Sequence, residues 1–79
     1  MSAVDNILAS HLMTEVEAKV GSGLSATERV VVGFDAFSLA AQVAPATEQE
    51  AIDVVDAVAT SKGWNYEIFF LDRIIEFYA

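Results

Sequence analysis

The chain has no cysteine, a single proline, one histidine and only four basic side chains in 79 residues. Without cysteine there is neither a disulfide framework nor a thiolate metal site, which fits a reducing cytoplasm. The lone His11 leaves zinc without a histidine cluster to hold it. Four Lys and Arg against twelve Asp and Glu give a net charge of −8, which repels phosphate backbones and anionic lipid. Direct binding to nucleic acid or to a membrane surface is therefore not expected. No stretch approaches ~18 uncharged apolar residues, and residues 1–5 lack a basic segment followed by an apolar run. Neither a membrane span nor an ordinary export signal is expected.

Apolar residues, by contrast, make up 54% of the chain. That excludes the low hydrophobicity of disordered segments and predicts one folded domain over residues 1–79. A chain of this size hides only ~60% of its unfolded surface. The apolar surplus points to a homo-oligomer or a docked partner.

Two Ser/Thr-x-x-Glu patterns, Ser25-Ala26-Thr27-Glu28 and Thr47-Glu48-Gln49-Glu50, precede apolar runs. Such patterns cap helix N-termini, and Gly21 and Gly63 supply helix stops. The expected fold is all-α, a compact bundle of four short helices at about 3–20, 26–44, 48–62 and 66–78, with the second helix central. In the first, Ser2 is the N-cap and Val4, Ile7, Leu8, Leu12, Val16 and Val20 wind around the helix. Glu15 is placed to pair with Lys19 and to face His11. Gly21-Ser22-Gly23 reads as a turn. Pro45 stops the second helix near Ala44; the rival reading makes Arg29 to Phe34 a strand, on Val30-Val31-Val32, with Gly33 a bulge or turn. The third is the most amphipathic, with Trp64 folding back past Gly63. Asn65 caps the fourth, whose arc includes Ile68, Phe70, Leu71, Ile74, Ile75, Phe77 and Tyr78.

No catalytic constellation is apparent. His11, Asp35 and Ser38 can be drawn as a triad, but no strand-turn-helix elbow surrounds the serine. Calcium-loop spacing and a phosphate-binding glycine loop are missing, so no metal and no cofactor are expected. Small size, acidity, helical content and Asp35-Ala36-Phe37-Ser38-Leu39 loosely resemble an acyl carrier protein. That resemblance implies phosphopantetheine on the serine, although Asp35 is not adjacent to Ser38 as in the family's Asp-Ser-Leu.

The expected function is that of a non-enzymatic, oligomeric protein-protein interaction module with a basic partner. An acidic face of Glu48, Glu50, Asp53, Asp56, Asp72 and Glu76 would meet that partner, with Phe69, Phe77 and Tyr78 as apolar anchors. One alternative is an inhibitor that mimics nucleic acid and blocks a basic groove, as phage anti-restriction or anti-CRISPR proteins do. This requires the third and fourth helices to lie side by side. The other is a carrier modified on Ser38.

Overall fold

The structure is a computed structural model that describes residues 2–21 and 23–79. Its element order is α1 (Ala3–Val20), β1 (Arg29–Gly33), α2 (Phe34–Ala41), α3 (Glu48–Lys62), β2 (Asn65–Phe69) and β3 (Ile74–Tyr78). The fold is therefore mixed, three helices on a three-stranded antiparallel sheet, and not the expected helical bundle.

The first helix keeps its predicted bounds. The Ser2 hydroxyl accepts the Asp5 N–H at 3.1 Å, and the Asp5 carboxylate accepts the Ser2 N–H at 3.3 Å, a capping box closed by aspartate. Leu8, Leu12 and Val16 form its buried row, whereas Val4 and Ile7 are exposed. The predicted turn at 21–23 includes Ser22, which lies outside the described residues.

The expected second helix is replaced by a strand and a short helix. Ser25 and Glu28 make only half of a capping box: Ser25 N–H donates to Glu28 Oε1 at 3.4 Å, but Glu28 N–H donates to the Ser25 backbone carbonyl at 3.3 Å and not to its hydroxyl. They close a turn instead, because a neighbouring strand lets alternate valines be buried. Val30 and Val32 point into the core and Val31 points out, the period-two pattern that β-branched residues favour. The rival strand reading holds, with Gly33 closing β1 and capping α2. Gly33 brings no side-chain cap, and the exposed first N–H of Phe34 donates to Arg73 O at 2.9 Å. The helix stops at Gln42 in the left-handed conformation, short of the residue before Pro45.

The third helix also has its predicted limits. Thr47 accepts the Glu50 N–H at 3.1 Å, and left-handed Gly63 lets Trp64 N–H reach Ala59 O at 2.9 Å, the Schellman arrangement. Trp64 folds back on the core, its ring centroid 6.1 Å from that of Phe77.

In place of the fourth helix there is a hairpin. The stretch from Trp64 to Tyr78 is dense in aromatic and β-branched residues that suit a pleated surface. Ile75 and Phe77 alternate inward on β3. The turn at 70–73 has no glycine, and Arg73 takes the left-handed φ of 54° itself. The sheet order is β1-β3-β2. Arg29, Val31 and Gly33 lie opposite Tyr78, Glu76 and Ile74, which in turn lie opposite Asn65, Glu67 and Phe69.

All three helices cover one face of this sheet. The core joins Leu8, Leu12 and Val16 of α1, Phe34 and Phe37 of α2 and Val54, Val55 and Val58 of α3 to Val30, Val32, Ile75 and Phe77. α1 packs on both other helices and on β1, while α3 lies along β2. The central helix is thus α1 and not the second, because the 26–44 segment gives Arg29–Gly33 to the sheet and keeps only Phe34–Ala41 as helix.

Candidate functional site

The outward side of α3 carries Glu48, Glu50, Asp53 and Asp56. Ordinary helix chemistry fixes two of them: Glu50 accepts the Ala46 N–H at 2.9 Å and Asp53 accepts from Gln49 Nε2 at 2.9 Å. Among the described residues, the ion pairs are Arg29 with Glu76 and Glu67, Lys62 with Glu17, and Arg73 with Asp35. Among the described residues, therefore, no cation lies within pairing distance of the four α3 carboxylates, and Glu15 does not close on His11 or Lys19, as the helical spacing had suggested.

Beside this wall runs a groove of about 400 Å³ between α1 and α3, lined by Asn6, Ala9, Ser10, Met13, Thr14, Ala57, Val58 and Ser61. The lining follows from helical spacing: Asn6, Ala9 or Ser10, and Met13 share one face of α1, as Ala57, Val58 and Ser61 share one face of α3. Small side chains keep it open and Met13 gives it a deformable floor. Just beyond, Lys62 ties α3 to Glu17 of α1 at 3.0 Å. A second hollow, of about 440 Å³, continues over Asp53, Asp56, Ala57, Thr60 and Ser61, so this part of the acidic wall and the groove share one surface.

The remaining predicted site residues are elsewhere. Asp72 lies in the hairpin turn and Glu76 on the open face of the sheet, with its carboxylate 3.4 Å from Arg29. Phe69 and Tyr78 also belong to that open face and are half-buried; Phe77, on the opposite face, is fully buried. The six carboxylates thus occupy three separate places, since the helix meant to carry two of them is a hairpin. Leu71, at the hairpin tip, is 100% exposed.

Sequence reasoning missed both the groove and a charged cluster on the open face. In the cluster the Arg29 guanidinium stands 4.5 Å from the Tyr78 ring centroid and reaches Glu76 and Glu67. The available signal was the alternation in Arg29-Val30-Val31-Val32 and in Ile75-Glu76-Phe77-Tyr78.

Ser38 is only 7% exposed, and its hydroxyl has no partner among the described residues. A prosthetic group on it would require the covered hydroxyl to be brought to the surface. Among the described residues, no three His, Cys, Asp or Glu side chains converge as a metal set, and no helix is long and apolar enough to cross a membrane.

Tyr66 lies on the helix-covered side of β2, next to Asp56. Burial first, and then the charge of Asp56 and hydrogen bonding to it, with Asp53 adding, raise its phenol above the ordinary 10.0. A raised folded-state value favours the neutral phenol. Its contribution to stability is therefore complete below about pH 10 and is lost as pH rises through the folded value. Tyr66→Phe is expected to flatten the alkaline fall in stability and to remove a late-ionising phenol from the ultraviolet titration. An alkaline profile identical to that of the parent would disprove the coupling.

No protein family profile, curated protein or solved structure matches this chain.

Proposed function

We propose that the protein is a non-catalytic binding module that receives a basic, amphipathic helix of a partner protein in the groove between α1 and α3. One observation carries this reading: a groove with an apolar strip is bordered by carboxylates that, among the described residues, have no cation within pairing distance, while three of the chain's cations are engaged in other ion pairs. A helix laid in such a groove buries its apolar stripe on Ala9, Met13 and Ala57 and sets Lys or Arg against Asp53 and Asp56. Long-range attraction from the net charge of −8 speeds the encounter. The absence of cysteine is in keeping with a reducing compartment such as the cytoplasm.

This reading is preferred to nucleic-acid mimicry because Asp72 and Glu76 do not extend the α3 wall, so no long lattice of negative charge results. It is preferred to a carrier role because Ser38 is buried.

The test is fluorescence anisotropy with a labelled amphipathic helix of Leu and Lys/Arg, against a scrambled peptide of equal charge. Affinity is expected to fall as salt rises from about 0.05 to about 0.3 M. Asp53→Lys combined with Asp56→Lys is expected to weaken binding at least tenfold or so, as like charge now faces the peptide. Equal binding of the scrambled peptide, or no loss in the double variant, overturns the proposal.

A further inference from the structure

The free edge of β1 is built to pair, and the ladder register shows how. Antiparallel strands alternate between residues bonded to the neighbour and residues whose N–H and C=O point away from it. Phe34 N–H donates to Arg73 O, in line with the register that sets Val32 opposite Ile75 and Val30 opposite Phe77. Val30 and Val32 therefore spend their backbone groups on β3. By the same register those of Arg29, Val31 and Gly33 point outward from the sheet, and among the described residues no turn, loop or cap bond involves Val31. Val31 is 42% exposed.

The two edges of the sheet are not alike. Edge strands are normally guarded by charge, proline or a covering element. β2 has Glu67 at its middle, with Asp53 and Asp56 of α3 alongside Tyr66. Two copies joined through β2 would set like charges against each other. β1 carries three consecutive valines and no charge between Arg29 and its end.

We propose that β1 pairs antiparallel with β1 of a second copy, about a two-fold axis at Val31, to give a continuous six-stranded sheet. In this register Val31 meets its own copy, and Val30 faces the other copy's Val32 on the helix-covered side. Arg29 faces the other copy's Gly33, which adds no side chain there, and the guanidinium keeps its place over Glu76, Glu67 and Tyr78 of its own sheet. Unlike β2, β1 thus offers a self-complementary edge. Five paired residues span only about 17 Å, so the dimer belongs to the small, weak class of interface. Its dissociation constant is expected in the micromolar to millimolar range.

This pairing is independent of the α1–α3 groove, and salt separates the two. A basic ligand is released as screening rises, whereas two chains of like net charge associate more tightly. Sedimentation at increasing protein concentration, in low and high salt, is expected to show a monomer–dimer equilibrium that shifts toward dimer with salt. Hydrogen exchange is expected to slow at the Val31 and Gly33 amides as concentration rises. Val31→Pro removes an outward N–H that β3 does not use, a place where an edge strand tolerates proline. It is expected to weaken association at least tenfold or so, with an unchanged far-ultraviolet spectrum. A monomer at every concentration and salt, a Val31→Pro protein that dimerises like the parent, or a dimer whose Val31 and Gly33 amides stay unprotected each overturns the proposal. Protection that appears only with another protein present also overturns it. Should the proline variant fail to fold, exchange in the parent chain decides.

Discussion

Phe77→Ala is expected to cost the protein a large part of its stability. Phe77 is fully buried on the central strand, flanked by Val30 and Tyr66 and in contact with the Trp64 ring. Truncating a buried phenylalanine costs about 3–5 kcal/mol, since transfer energy is lost and a cavity opens in packing that relaxes only in part. A domain of this size holds roughly 4–12 kcal/mol in total. Urea unfolding followed by circular dichroism measures the loss. Phe69→Ala on the open face gives the comparison, with an expected cost of no more than about 1–1.5 kcal/mol for its half-buried ring. A Phe77→Ala protein within about 1 kcal/mol of the parent would contradict this account of the core.

Arg29→Glu has the largest effect expected of any surface change. Glu67 and Glu76 stand directly opposite each other on β2 and β3, an arrangement that costs stability when nothing bridges the charges. Arg29 bridges them, at 3.9 Å and 3.4 Å, and rests on Tyr78. Its reversal removes two partly exposed ion pairs worth about 0.2–1 kcal/mol each. It also removes a cation–π contact worth about 0.5–1 kcal/mol at an exposed site and leaves three carboxylates together. With half of the guanidinium side chain in solvent, screening limits the sum to about 1–3 kcal/mol. The deficit should shrink in about 1 M salt, where the Debye length is only ~3 Å. Adding Glu76→Lys should restore most of it. Stability equal to the parent, or a deficit indifferent to salt, would show that Arg29 acts by packing alone.

How far the chain could be read in advance follows from where its signals are local. α1 and α3 carry their own caps, Ser2 with Asp5 and Thr47 with Glu50, and their own apolar rows, so their limits were legible to the residue. The box at Ser25 misled because its bonds serve a turn as well as a helix start. Val30, Phe34 and Phe37 also fit helical spacing. Only a neighbouring strand, distant in sequence, makes the alternation of Val30 and Val32 the better use of the same residues. The hairpin was hidden for a further reason. Its turn, Phe70-Leu71-Asp72-Arg73, lacks the glycine or asparagine that announces a reversal, and apolar residues appear in both phases of its strands because β2 and β3 have aromatics on each face. The acidity of α3 was readable. The groove beside it was not, since it depends on which face of α1 comes to rest against α3.

The strand order β1-β3-β2 has a kinetic consequence. The β2–β3 ladder closes over a four-residue turn, on the microsecond scale of local hairpins. The β1–β3 ladder must bring together Arg29 and Glu76, 47 positions apart, at the entropic cost of a long loop. Docking of β1 onto the preformed hairpin is therefore expected to be the slow event of folding, with Leu8, Leu12 and Val16 of α1 forming the other wall for Val30 and Val32.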